Sequence, residues 1–224
     1  LDDAPGIIAL QTGPVEVWPK NTAIQEWNDP NVMVVTFADA ERYHGALRDR
    51  ILALERDPEL GKAFSGYAGS AKVYHVDKWG RPEADLIHRR AIELFKRVLR
   101  SERAAVDLSW ANIYRSGDYC MPHSHVRATA SLVYFLDLGF GGAEAPRGAG
   151  HGQFCFADPR MEVCCREEPH AMTTPSGPVA KEGMLIMFPG KLVHMVDTFR
   201  HPGPRITLSW NINESAIAGS PLPA

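Results

Sequence analysis

The sequence predicts a mainly β protein of the α+β kind: a jelly-roll core with supporting N-terminal helices. Three observations carry this. Two early stretches, 38–57 and 84–103, set apolar residues at helical spacing against a charged opposite face. After residue 104, six short apolar or alternating runs follow one another, separated by Gly, Pro and Asp. The helices precede the strands instead of alternating with them. That order favours helices packed on one face of antiparallel β structure over a doubly wound parallel sheet.

Residues 1–36 read as extended segments broken by Gly13, Pro14, Pro19 and Pro30. The first helix carries Ala46, Leu47, Ile51, Leu52 and Leu54 on its apolar side. The second carries Leu86, Ile87, Ile92, Leu94, Phe95, Val98 and Leu99. The strand-like runs are 106–115, 128–138, 152–157, 183–188, 191–199 and 205–213. The glycine-rich stretch 139–152 and the polar, proline-containing stretch 166–182 read as mobile loops of the kind that carry specificity. No linker divides the chain, so residues 1–224 are expected to form a single domain. Residues 1–104 supply extended segments and helices, and 105–213 the core.

Composition narrows the function classes. Twenty-four basic residues against twenty-seven acidic give a formal charge of −3, so no nucleic-acid partner is expected. No apolar run is long enough for a transmembrane helix, so no membrane partner is expected. The opening LDDAPGIIAL has no basic start and does not read as a signal peptide. The four cysteines, Cys120, Cys155, Cys164 and Cys165, form no Cys-x-x-Cys pair; they read as reduced thiols and suggest a cytoplasmic location. Nothing in the sequence fixes an oligomeric state.

Four local features point to chemistry. His123-Ser124-His125 precedes an apolar run; residues i and i+2 of a strand face the same way, so two imidazoles could share one divalent metal. His194 lies in another predicted strand. Arg205, Thr207, Ser209 and Asn211 alternate with Ile206, Leu208, Trp210 and Ile212. Either the polar set faces solvent, or it lines the inside of a small barrel and Arg205 offers a fixed fork to a carboxylate. Asn112 and Tyr114 alternate in the same manner. Taken singly, each has an ordinary structural explanation.

Together these features resemble the iron(II)- and 2-oxoglutarate-dependent oxygenases. The stretches WANIYRSGDYCMPHSH, LIMFPGKLVH and PRITLSWNI are similar to a group of bacterial members of that superfamily, over roughly residues 106–213. The resemblance implies a double-stranded β-helix core and iron(II), 2-oxoglutarate and O2 as cofactor, cosubstrate and oxidant. It implies metal ligation by His123, His125 and His194. It places Arg205 on the far carboxylate of 2-oxoglutarate, with Thr207, Asn112 and Tyr114 as helpers. It also implies oxidative decarboxylation to succinate and CO2 coupled to hydroxylation of a C–H bond in a small or amino-acid-like substrate.

The sequence departs from the superfamily at one position. The usual triad is two histidines and one carboxylate, and His125 stands where Asp or Glu is expected. Three histidines could hold the iron, the reading favoured here. Alternatively His125 points away, or Asp118 or Asp197 supplies the carboxylate. Tyr134, Arg127, Asp158 and Arg160 are the candidates for lining the substrate pocket. A zinc-dependent hydrolase and a three-histidine dioxygenase of the cupin type that needs no 2-oxoglutarate are the rival readings. Neither gives Arg205 a task.

Overall fold

A computed structural model of the chain describes residues 7–10, 13–27, 29–62, 69–141, 150–156 and 177–215. The N-terminal extended segments form four strands: β1 (Ile7–Leu10), β2 (Gly13–Glu16), β3 (Gln25–Trp27) and β4 (Asp29–Thr36). Two helices follow, α1 (Glu41–Leu54) and α2 (Pro82–Leu99). Between them lie two short strands, β5 (Gly61–Lys62) and β6 (Ala71–Tyr74), and one turn of 3-10 helix at Val76–Lys78. The core strands are β7 (Ala105–Tyr114), β8 (Cys120–His123), β9 (Ala130–Asp137), β10 (Phe154–Phe156), β11 (Met184–Pro189), β12 (His194–Val196) and β13 (Arg205–Asn213). Each of the six strand-like runs holds one of these strands; β5, β6 and β8 were not anticipated.

Both helices form for legible reasons. In α1 the buried residues Tyr43, Leu47, Ile51 and Leu54 recur every three or four positions. In α2, Pro82 occupies the first turn with Glu83 and Asp85, and Lys96 and Arg97 occupy the last. Arg100 ends α2 in the left-handed region at φ 52°. The helix therefore stops short of residue 103, the end expected from periodicity.

An eight-stranded antiparallel sheet runs β3-β4-β11-β9-β13-β7-β6-β5, and a three-stranded antiparallel sheet runs β10-β12-β8. From β7 onward, successive described strands alternate between the two: β7, β9, β11 and β13 in the large sheet, β8, β10 and β12 in the small one. That alternation is the jelly-roll, or double-stranded β-helix, arrangement.

The large sheet has a packed layer on each face. On one, Leu132, Tyr134, Leu185, Ile206, Leu208 and Trp210 join Leu47, Ile51, Leu86 and Leu94 of the helices in one core. On the other, Val133, Phe135, Ile186 and Phe188 join Phe154, Phe156 and Val196 in a second core between the sheets. All nine residues of β13 are buried. Its polar set Arg205, Thr207, Ser209 and Asn211 therefore faces the inter-sheet interior, not solvent.

One buried cation ties the helices to the rest. Arg90 of α2, with none of its surface exposed, donates to Asp39 through both terminal nitrogens (2.9 and 2.7 Å), to Tyr43 Oη (2.9 Å) and to the carbonyls of Glu16 and Val17. Its guanidinium lies 4.2 Å from the centroid of the Phe37 ring.

Candidate active site

A cavity of about 280 Å³ opens between the two sheets. His123 ends β8 and His194 begins β12, and the two stand opposite one another in the β8–β12 ladder. Their ring centroids are 4.3 Å apart. His125 lies beyond the end of β8, so its imidazole does not arrive by the strand alternation expected of His-x-His. A turn aims it instead. The His125 N–H donates to the Gly190 carbonyl (2.7 Å), and the Ala128 N–H donates to the His125 carbonyl (2.8 Å). Gly190 is required for this approach, since a Cβ there would lie 2.7 Å from the His125 carbonyl oxygen and closer still to that of Ala128. The His125 ring sits 5.1 Å from that of His123 and 5.3 Å from that of His194. One nitrogen from each of the three lies within 4.8 Å of the others.

Burial favours the neutral form of all three rings. The Nδ1–H of His123 donates to the Met121 carbonyl (2.8 Å), and that of His194 to the Leu192 carbonyl (3.0 Å). A carbonyl can only accept, so each bond leaves the Nε2 lone pair free for a metal. Burial pushes His125 down to about 4, with His123 and Lys72 adding to the shift, and takes His194 down to about 3. His123 is lowered as well, again mainly by burial. Phe154 stacks on His194 at 5.6 Å and Phe188 meets it edge-on at 4.8 Å.

Arg205 forms another wall of the cavity. It is 1% exposed, and its two terminal nitrogens have no hydrogen-bond partner among the described residues. Its guanidinium lies 5.1 Å from the Tyr114 ring centroid and 5.8 Å from that of Phe135. Burial lowers its pKa, yet an arginine remains a cation. A buried guanidinium with two idle nitrogens is costly alone and matches a carboxylate. Asn112 is a wall organiser: its carbonyl accepts from Trp110 Nε1 (3.1 Å), and its amide nitrogen donates to Ser209 Oγ (3.2 Å) and more weakly to Thr207 Oγ1 (3.4 Å). The Thr207 hydroxyl hydrogen is thereby left to donate into the cavity. Neutral imidazoles and an idle buried guanidinium fit an iron(II) and 2-oxoglutarate site.

Other expected residues fall elsewhere. Tyr134 does not line the cavity; it faces the helices, with its hydroxyl 2.8 Å from Tyr43 Oη and 2.6 Å from His44 Nε2. Its strand is buried on both faces, so an apolar run alone did not reveal which residues point inward. Arg127 is exposed on the turn after His125, outside the cavity lining. Asp158, Arg160, Cys164 and Cys165 lie outside the described residues, as do most of the two stretches expected to be mobile loops. Asp197 and Asp118 are engaged away from the histidines: Asp197 accepts from the backbone of Gly150 and Gln153, and Asp118 from Arg115. Cys120 lines the cavity as a free thiol, with Sγ 3.5 Å from His123 Nδ1. Lys72 and Trp110 also line it and were not anticipated. A lysine in a short strand reads as a solvent position. Only its pairing with Asn112 across β6–β7 shows that it faces inward.

Residues 108–211 match the family described as "Putative 2OG-Fe(II) oxygenase". A search of curated protein sequences found no match. Among solved structures, the fold is similar to an oxidoreductase of the 2OG-Fe(II) oxygenase family from Burkholderia pseudomallei (TM-score 0.55, 15% identity, 84% of this chain and 88% of that one). It is also similar to EctD from S. alaskensis (0.60, 16%, 88% and 79%) and to a prolyl-4-hydroxylase from Pseudomonas putida (0.55, 16%, 81% and 91%). No helix among the described residues is long and apolar enough to cross a membrane. The matched segment contains the three histidines and Arg205, and the surrounding fold is similar to that of 2OG-Fe(II) oxygenases of known structure, a family of oxidoreductases that uses iron(II), 2-oxoglutarate and O2.

Proposed function

We propose that the protein hydroxylates a C–H bond of a small or amino-acid-like substrate, with His123, His125 and His194 holding iron(II) and Arg205 and Thr207 holding 2-oxoglutarate. The observation that carries this is the idle guanidinium of Arg205 in the same cavity as three converging imidazoles. A zinc hydrolase or a cupin-type dioxygenase has no use for it. When bound, the iron supplies one-electron and dioxygen chemistry that no side chain offers.

The chain's own residues bind and orient. Arg205 and the Thr207 hydroxyl meet the far carboxylate of the cosubstrate. Asn112 keeps Thr207 in place. Tyr114, whose pKa burial raises, stays a neutral phenol beneath the guanidinium. The Met121 and Leu192 carbonyls hold His123 and His194 in the ligating tautomer. Phe154, Phe188, Val133 and Val196 exclude water from the reacting region. The relatives named as prolyl hydroxylases, one from Pseudomonas putida and one viral, support an amino-acid-like substrate.

Arg205→Ala tests the proposal. Removing hydrogen bonds to a charge, at about 1.5–3 kcal/mol each, weakens 2-oxoglutarate binding at least tenfold. Calorimetric titration of the iron(II) protein under anaerobic conditions reads this directly. Unchanged affinity removes Arg205 from the role. Oxygen consumption without 2-oxoglutarate would favour the cupin-type reading instead.

A further inference from the structure

Asn211 and Ser131 stand opposite one another in the β13–β9 ladder, and both line the cavity. The Ser131 hydroxyl donates to the Asn211 carbonyl oxygen (3.0 Å), the one side-chain hydrogen bond that either makes among the described residues. This leaves the Asn211 amide N–H groups as donors and a lone pair on Ser131 Oγ as an acceptor. With the amide turned over, its nitrogen donates to the serine, and a carbonyl oxygen and a hydroxyl hydrogen are left instead. Either way the pair keeps one donor and one acceptor for the cavity. The neighbouring asparagines are engaged. Asn112 spends its oxygen on Trp110 and its nitrogen on Ser209 and Thr207. Asn213 accepts from the Thr129 N–H and hydroxyl and does not line the cavity.

The pair lies at the histidine end, away from Arg205. Ser131 is opposite Phe188 in the β11–β9 ladder, and the Phe188 ring meets His194 at 4.8 Å. One step back along β13, Ser209 is opposite Trp110, whose ring centroid is 5.7 Å from that of His125. Arg205 is six residues from Asn211 on the same strand, about 20 Å at the usual rise per residue. Its guanidinium stays at its own end, against Tyr114 and Phe135. A five-carbon cosubstrate held there spans less than half of that length, so Asn211 and Ser131 are left for a second ligand.

We propose that Asn211 and Ser131 are specificity-determining residues that receive a neutral amide group of the substrate, its carbonyl meeting the donor of the pair and its N–H the acceptor. This deepens the proposed hydroxylation and rests on the assignment of Arg205 to 2-oxoglutarate. A carboxylate offers acceptors alone and an ammonium donors alone, so each leaves one member of the pair unmet. The Trp110 and Phe188 rings flank the pair and offer contact to the apolar body of such a substrate.

The test uses the full chain with iron(II) and saturating 2-oxoglutarate under anaerobic conditions. Phenylacetamide and methyl phenylacetate, both neutral, are titrated in turn by calorimetry; the ester keeps the carbonyl and lacks the N–H. Wild type should bind the amide about threefold or more tighter than the ester, the worth of one neutral hydrogen bond. Asn211→Leu combined with Ser131→Ala removes both partners together, which a buried pair tolerates, and should bind the two probes alike. Asn211→Ala alone should weaken amide binding about threefold or more and decides the matter if the double variant fails to fold. Affinity for 2-oxoglutarate should stay within about twofold of wild type in each folded variant. N-acetyl-L-phenylalaninamide, titrated beside phenylacetamide, tells a peptide amide from a free carboxamide by which of them binds more tightly. Equal binding of amide and ester by wild type, binding of neither, or an amide preference that survives the substitutions overturns the proposal. So does a loss of 2-oxoglutarate affinity in Asn211→Ala as large as that of Arg205→Ala, which would move Asn211 into the cosubstrate site. A wild type that takes up no 2-oxoglutarate yet prefers the amide overturns the assignment of Arg205 and leaves the amide pocket standing.

Discussion

Gly152 lies directly against the stem of Arg205: a Cβ at residue 152 would stand 2.8 Å from Arg205 Cδ and 3.0 Å from Phe199 Cδ2. The glycine also has φ +67°, which an L side chain adopts at a cost of about 1–2 kcal/mol. Gly152→Ala is therefore expected to push the guanidinium from its place. Affinity for 2-oxoglutarate should fall about tenfold or more in anaerobic titration, while metal content stays near that of wild type because the histidines sit on other segments.

The histidines should separate in metal analysis. His123→Ala and His194→Ala each remove one of two ligands fixed by carbonyl hydrogen bonds, and both variants should purify without stoichiometric iron. His125→Asp should retain iron, and hold it more tightly than wild type against a chelator, because it restores an anionic ligand to the centre. Gly190→Ala should mimic loss of His125, since the added methyl collides with the turn that aims it. Full iron in both alanine variants would disprove the triad.

Arg90 is a structural cation without access to the cavity. Arg90→Ala leaves Asp39, Tyr43 and two backbone carbonyls without their donor. Breaking a buried charged pair costs about 3–5 kcal/mol. The variant should show a large drop in urea midpoint, and the residual folded fraction should still bind 2-oxoglutarate.

His44 should make stability depend on pH. Burial, aided by Arg90 and opposed by Asp39, takes its pKa from 6.5 down to about 4. The unfolded chain therefore binds a proton at His44 that the folded one refuses. The contribution is fully present above about pH 6.5 and is lost as pH falls towards 4, amounting to roughly 3 kcal/mol. Urea midpoints measured between pH 7 and pH 4.5 should fall less steeply for His44→Gln, whose amide oxygen can still accept from Tyr134, than for wild type.

The parts of this protein legible in its sequence are those where one residue type has one use. Alternation in β13 revealed a polar face and an apolar face, and the helices named the side on which the apolar face packs. The separation of His123, His194 and Arg205 along the chain ends in one cavity, because β8 and β12 pair in the small sheet and Arg205 enters the same cavity from β13 of the large one. Tyr134 was misplaced because β9 is apolar on both faces and parity cannot be read from such a run. His125 reached the centre by a turn rather than by strand geometry, and the turn depends on Gly190, 65 residues away. Lys72 was missed because its strand has four residues and is flanked by no strong signal.

The large sheet is a wall with a tenant on each side. Residues of β9, β11 and β13 that shape the deep end of the cavity sit on strands whose alternate residues support α1 and α2. An altered contour there disturbs the helical layer too. Met121 and Pro122, exposed on β8 of the small sheet, belong to neither buried core. New substrate preferences should therefore arise at this rim, by few substitutions and at little cost in folding, while the inner chamber that serves the common cosubstrate changes slowly.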